Sequence, residues 1–324
     1  MAVTTYNAVA EYDSTFYSDV MIESTTEKLL HSIPMDKAKL PQMNGKTINW
    51  QEFENLSTTD ALTALTEGVS PSIGSYSVRE VTATIAQYGA SLGITDIVDM
   101  TKRHKHGVQI VKNQAYQAAV VADTLDRNQV VSAATNDYYG TAAGTLGTTK
   151  ANTAAPIDGV MLDKIHTNMQ NNNAEYFYEV QAGSSTVGST PVDPCYLAIV
   201  HPSVLYTLYG VNGFDRVSTY GGKKLPGEVG VYNNFRFIAS TNAYWETAAV
   251  SGASAPVYFT AFFAPHAAAT VELDGMSLQT YYDPPGSGED HARQRAIYTW
   301  KMSRVSAILN NARMAVLGTT IESI

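Results

Sequence analysis

The chain has 324 residues, 44% of them hydrophobic and 16% charged, with a formal net charge of −9. That is a globular composition of low charge density, long enough for one large domain or two ordinary ones. The acidic balance argues against a protein that grips nucleic acid through its phosphates, though not against one that encloses it. A single cysteine, Cys195, excludes an internal disulfide and fits a reducing compartment. No basic start followed by an apolar core marks a signal peptide, and no apolar run is long enough to span a membrane. "NLS" at 55–57 matches a glycosylation acceptor by chance.

In chain order, Val9, Tyr12, Phe16 and Val20 recur at helical spacing and predict a short amphipathic helix ahead of Pro34 and Pro41. Residues 1–45 read as an arm with one helix, not as a core layer. A two-stranded ribbon follows from 46 to 97. "GKTINWQEFENL" places Ile48 and Trp50 on one face of its first strand. In its second, Val81, Ala83 and Ile85 oppose Thr82, Thr84 and Ala86. The residues between hold no long apolar run. A ribbon of this kind is marginal alone in water and needs an external support.

Val108, Val111, Ala115, Ala118, Ala122 and Leu125 predict an Ala-rich helix from Gly107 to about Thr135 with a narrow apolar stripe. Residues 138–156 read as a loop. Asp158 reads as the N-cap of a helix carrying Met161, Ile165 and Met169. "CYLAIV" (195–200) is a fully apolar strand, and Pro202 opens a helix whose inner face is Val204, Leu205 and Leu208. "NNFRFIAST" is a strand with Phe235, Phe237 and Ala239 on one side; "SGASAP" is a break, and "VYFTAFFA" (257–264) a buried strand. In "QRAIYTWKM", Ala296, Tyr298, Trp300 and Met302 alternate with Ile297, Thr299 and Lys301, and "MAVLG" closes the chain's apolar pieces. Strands, one long helix, a mixed block and strands again make an α+β protein without internal repeats.

Catalytic patterns are missing. No phosphate-binding loop, dinucleotide fingerprint or nucleophile elbow occurs. Cys195 reads as a buried structural thiol, because reactive thiols need exposed, electropositive surroundings. His104 and His106 in "TKRHKHG" lack a nearby cysteine or carboxylate to complete a metal site, so the segment reads as a solvated run before the long helix. His201 reads as a capping or packing histidine. Asp283, Glu289, Asp290 and His291 share a Gly/Pro/Ser-rich stretch that reads as a surface loop.

"GKTINWQEFENL", "LTEGVSP", "VTATIAQYGASLGITDIVD", "GKKLPGEVG" with "FRFIAST", and "QRAIYTWKM" with "ILNNARM" stand in this order over about 45–315. Together they resemble the major capsid proteins of tailed bacteriophages. The resemblance implies the tailed-phage capsid fold. Its parts would be an N-terminal arm (1–45), an extended loop lying across a neighbouring subunit (46–97) and a peripheral domain with a spine helix (98–156 and 281–324). An axial domain (157–280) would complete it. It implies self-assembly through pentamers and hexamers into an icosahedral shell that encloses DNA without sequence-specific binding. It implies no enzyme activity, cofactor or membrane. The expected location is the virion, with assembly in the host cytoplasm, and the expected partners are further copies, a separate scaffolding protein, portal and decoration proteins. Trp50, Phe53, Leu62, Leu65, Val69 and Arg79 are the candidate subunit-interface residues on the extended loop. Residues 47–101 contain no lysine, so the covalent lysine–asparagine weld of some relatives is not expected. Another virion component, a tail or decoration protein, is the first alternative; a metal-dependent hydrolase using His104, His106 or the 283–291 carboxylates is the second.

Overall fold

The computed structural model describes residues 29–321 except 57, 59–60, 63, 66, 71–72, 102–105, 134–136, 142–144, 149–154, 178–193, 220–223, 251–252 and 287–291. The helix expected at 9–20, the basic run at 102–105 and the Glu289–His291 cluster lie outside the described residues. In chain order the elements are β1 (Asp36–Leu40), β2 (Thr47–Phe53), β3 (Val78–Thr84), β4 (Ala86–Thr95), α1 (Asp96–Thr101), α2 (His106–Ala133), β5 (Asp137–Gly140) and β6 (Leu146–Gly147). There follow α3 (Gly159–Asn171), β7 (Tyr196–Val200), α4 (Leu205–Gly210), β8 (Asp215–Arg216), β9 (Glu228–Tyr232) and β10 (Phe235–Ala239). The chain ends with β11 (Trp245–Val250), β12 (Ala253–Phe263), β13 (Ala268–Leu273), β14 (Gln279–Asp283), β15 (Arg295–Ile308) and β16 (Met314–Thr319).

Among the described residues these strands form three sheets. The nine-stranded sheet runs β6-β5-β16-β12-β7-β10-β9-β8, with β11 also on β12. Its inner strands are apolar on both faces because both faces are covered, the condition that turns alternation into a continuous apolar run. One face meets α3: Met161, Leu162, Ile165 and Met169 pack on Tyr196, Ala198, Phe235, Phe237 and Phe262. The other face carries Ile199, Phe259, Phe263 and Val316 against Val130 of α2 and Met35 of the N-terminal segment. Phe235 and Phe262 meet edge to face at 4.8 Å, a favoured ring geometry. α3 starts where the sequence places it, with the Asp158 side chain accepting from Gly159 N at 2.7 Å. Asp158→Ala is expected to destabilise the chain by about 1 kcal/mol, and Asp158→Ser to restore most of that, in thermal melts followed by circular dichroism.

A five-stranded sheet is built around β15. β4 pairs along one side of it, from Thr95 opposite Arg295 to Ala86 opposite Arg304. β14 and β13 follow one another along the other side, and β1 extends this sheet in parallel with β13. The residues 29–40 are therefore part of the body, which corrects the reading of 1–45 as an arm outside the core. Leu30 is buried against Leu197 and Ile238, and His31 reaches Asp123 of α2 through both its backbone N (2.8 Å) and its Nδ1 (2.7 Å).

The long helix is where the sequence puts it, 28 residues or about 42 Å at 1.5 Å per residue. Its buried stripe differs. Val111 is exposed and Ala115 faces outward, while Gln114, Ala118, Asp123, Asp126 and Val130 are buried. The seam is half polar because α2 lies on the Tyr298–Ser306 stretch of β15. Gln114 donates to Tyr298 O at 2.7 Å, and Trp300 Nε1 donates to Gln117 at 3.0 Å. Ala118 packs on Trp300 and Met302, and the small side chain lets helix and strand approach closely. Arg304 then donates to both carboxylate oxygens of Asp126, at 3.2 and 2.6 Å.

Two further boundaries move. Residues 138–156 are not all loop: β5 pairs in parallel with β16, and the expected break at 251–256 lies partly within β12. The split at 157–280 also cuts across the sheets. β13 belongs to the sheet of β15, whereas β16 and β5 belong to that of β7, β10 and β12.

Candidate assembly surface

The feature the body does not absorb is the ribbon. β2 and β3 pair antiparallel from Thr47 opposite Thr84 to Phe53 opposite Val78 and form a sheet of two strands by themselves. Beyond them the apolar side chains face solvent: Phe53 is 68% exposed, Leu62 83%, Leu65 73% and Val69 63%. Leu56, Ile73 and Tyr76 join them, and the rings of Phe53 and Tyr76 lie 6.1 Å apart. Each of these large apolar side chains would gain roughly 1.5–3 kcal/mol on being fully covered.

The alternation read for the second strand holds, with Val81 and Ile85 half-buried and Ala83 buried. Its extent does not. Residues 86–97 are not ribbon, because β4 pairs with β15 of the same chain throughout its length. Among the described residues, β2 and β3 stand apart from that sheet.

Trp50 and Arg79 lie on the paired strands, where the ribbon touches its own body, rather than in the segment between the strands. Arg79 donates to Leu309 O at 2.5 Å and to the Glu52 carboxylate, and Asn310 donates to Glu52 at 3.0 Å. Trp50, Val81, Leu309, Arg313, His266 and Asp36 line a cavity of about 370 Å³ here. Burial alone would raise the Glu52 pKa; Arg79 and Asn310, with the Arg313 charge, more than offset it and hold the carboxyl below its usual range. The roles of Glu52, Asn310 and Arg313 left no trace in spacing, because they join residues 258 positions apart. Ile73 and Tyr76 had one visible sign, apolar side chains set among turn residues.

The family profile described as "Phage capsid protein" matches residues 79–316. The chain belongs to the phage capsid protein family. Solved structures agree on the fold. The capsid of cyanophage P-SCSP1u aligns with a TM-score of 0.68 at 14% identity, covering 98% of each chain. The capsid of Ralstonia phage GP4 gives 0.69 at 11%, covering 100% of this chain and 99% of that one. The mature capsid of bacteriophage PhiM1 gives 0.62 at 12%, covering 98% and 95%. No curated protein sequence matches.

In this capsid protein the tailed-phage fold is thus present with its N-terminal segment, ribbon, spine helix and mixed sheet. Three of the groups weighed for chemistry, Cys195, His201 and Asp283, lie among the described residues. Cys195 is fully buried, its thiol pushed up to about 12 by burial. His201 accepts from Ser203 N at 3.1 Å and rests against Tyr258, the capping and packing role read from its place before Pro202. Asp283 ends β14 on the surface. Among the described residues no helix is long and apolar enough to cross a membrane.

One ionisable group is badly placed. Asp137 begins β5 with Oδ1 buried and without a hydrogen-bond partner, and burial raises its pKa to about 6. Because the folded-state value lies above the ordinary one, the folded chain holds this proton more tightly. The penalty is absent below about pH 4, grows as pH rises through about 6, and is complete at neutral pH. Asp137→Asn is therefore expected to raise stability by on the order of 2 kcal/mol at pH 7.5 and to leave it unchanged near pH 4, read from urea unfolding at both pH values.

Proposed function

We propose that this chain is the major capsid protein of a tailed bacteriophage, assembling through pentamers and hexamers into an icosahedral shell that encloses DNA. Its role is structural rather than catalytic. It ends in the virion and assembles in the host cytoplasm, with a separate scaffolding protein, and with portal and decoration proteins as further partners. The observation that carries this reading is the ribbon of residues 46–85. Its residues Phe53, Leu62, Leu65 and Val69 are exposed, whereas Arg79 on the paired strands is tied to its own chain and Trp50 lines the cavity beside it.

The physical logic is one of many modest contacts. An arm that reaches a neighbour makes each further contact effectively intramolecular, so weak interfaces add into a stable shell. Contacts of this head-to-tail kind close into rings when the rotation between copies closes. The net charge of −9 suits a container that must not hold its cargo through phosphates. Negative-stain microscopy of the purified chain, alone and with a host lysate, tests the reading. Shells or five- and six-membered rings are expected. A species that stays monomeric at high concentration in both conditions contradicts it.

A further inference from the structure

The ribbon meets the body at two places of different character. The first is its root. The chain enters through a turn in which Met43 and Gly45 have φ of 68° and 76°. It leaves at Ile85, the one residue between β3 and β4. Ile85 N donates to Lys46 O at 2.8 Å, so the two crossings lie side by side, the arrangement of a hinge line.

The second place is roughly 20 Å further out along β2, at about 3.3 Å per residue. There the Glu52 carboxylate accepts from Arg79 and, at 3.0 Å, from Asn310, with Arg313 at 4.0 Å. Arg79 also donates to Leu309 O at 2.5 Å. These contacts bridge from both ribbon strands to the corner between β15 and β16. The space beside them is the cavity of about 370 Å³, not packed side chains.

We propose that Glu52 and Arg79, held by the Leu309–Arg313 corner, form a latch that sets the angle of the ribbon to the body. Opening the latch lets the ribbon swing about the Lys46–Ile85 root without unfolding. Half-exposed ion pairs are individually weak, which suits contacts that must be able to release. With three polar groups on one carboxylate, the latched state is favoured about tenfold, equivalent to about 1.4 kcal/mol. The use of the latched angle rests on the proposed function, but the latch itself is a property of the single chain and is tested there.

Spin labels on Leu62→Cys at the ribbon tip and Val160→Cys on α3 report the angle as a distance, with Cys195 buried and unreactive. The measurement uses the unassembled fraction isolated by size exclusion. One narrow distance distribution is expected for the otherwise native chain. A markedly broader one is expected for Glu52→Ala and for Arg79→Ala, and a smaller broadening for Asn310→Ala, all with a melting temperature lowered by no more than about 3 °C. Equal distributions in native and Glu52→Ala chains overturn the latch, as does a broad distribution in the native chain. Shell formation is scored on the same samples. A failed latch in a chain that still assembles leaves the capsid reading intact, and a clear latch in a chain that never assembles contradicts only that reading.

Discussion

Asp126→Ala is expected to destabilise the chain by about 3–5 kcal/mol, the size of effect seen when one partner of a buried ion pair is removed. Asp126 is fully buried in the seam of α2. It accepts from Arg304 Nε and Nη2, from Ser306 and, at 3.3 Å, from Thr270. The alanine leaves Arg304, itself buried, with only Glu272 at 2.6 Å as a counter-charge, and leaves two hydroxyls without an acceptor. Asp126→Asn keeps an acceptor but loses the charge, so its effect is expected to be smaller. The double change Asp126→Leu with Arg304→Met removes both charges together and is expected to lose much less than the sum of the single losses. Urea unfolding with constant slope checks all of them. Equal stability of Asp126→Ala and the native chain would remove the seam as an organising element.

Leu62→Asp, Leu65→Asp and Val69→Asp together are expected to have the largest effect on assembly and almost none on the folded chain. The three side chains face solvent in the single chain, so exchanging them there changes unfolding free energy by no more than about 0.5 kcal/mol. In a shell they would be buried against a neighbour, and a desolvated unpaired carboxylate costs several kcal/mol each. Sedimentation velocity and negative-stain microscopy of the variant are expected to give soluble folded protein and no shells. If shells form as readily as in the native chain, the ribbon tip does not carry the contact.

Much of the fold was legible because burial leaves periodic marks. The all-apolar "CYLAIV", the Trp300–Met302 alternation, the Asp158 cap and the long Ala-rich helix each follow from local residue order, and each is present in the structure. What escaped was set by partners distant in sequence. Spacing gives the α2 seam as Val108, Val111, Ala115, Ala118, Ala122 and Leu125, yet Gln114, Asp123 and Asp126 are buried in it, and their burial depends on Tyr298, His31 and Arg304. β1 carries Lys37 and Lys39 and no apolar run, the habit of an edge strand, so it passed for part of an arm. The ribbon's end was placed too far along because β4 alternates like β3; only its pairing with β15 separates them. Among the interface candidates, Phe53, Leu62, Leu65 and Val69 stand exposed where a neighbour could cover them. Arg79 and Trp50 instead face the 309–313 corner of their own chain, which no spacing rule connects to them.

In the proposed shell the ribbon of residues 46–85 finds its support in another copy. An image reconstruction of the assembled particle tests it most directly. Phe53, Leu62, Leu65 and Val69 are expected to pack against a neighbouring subunit. A reconstruction in which they pack on their own chain, or remain in solvent in every copy, would contradict it.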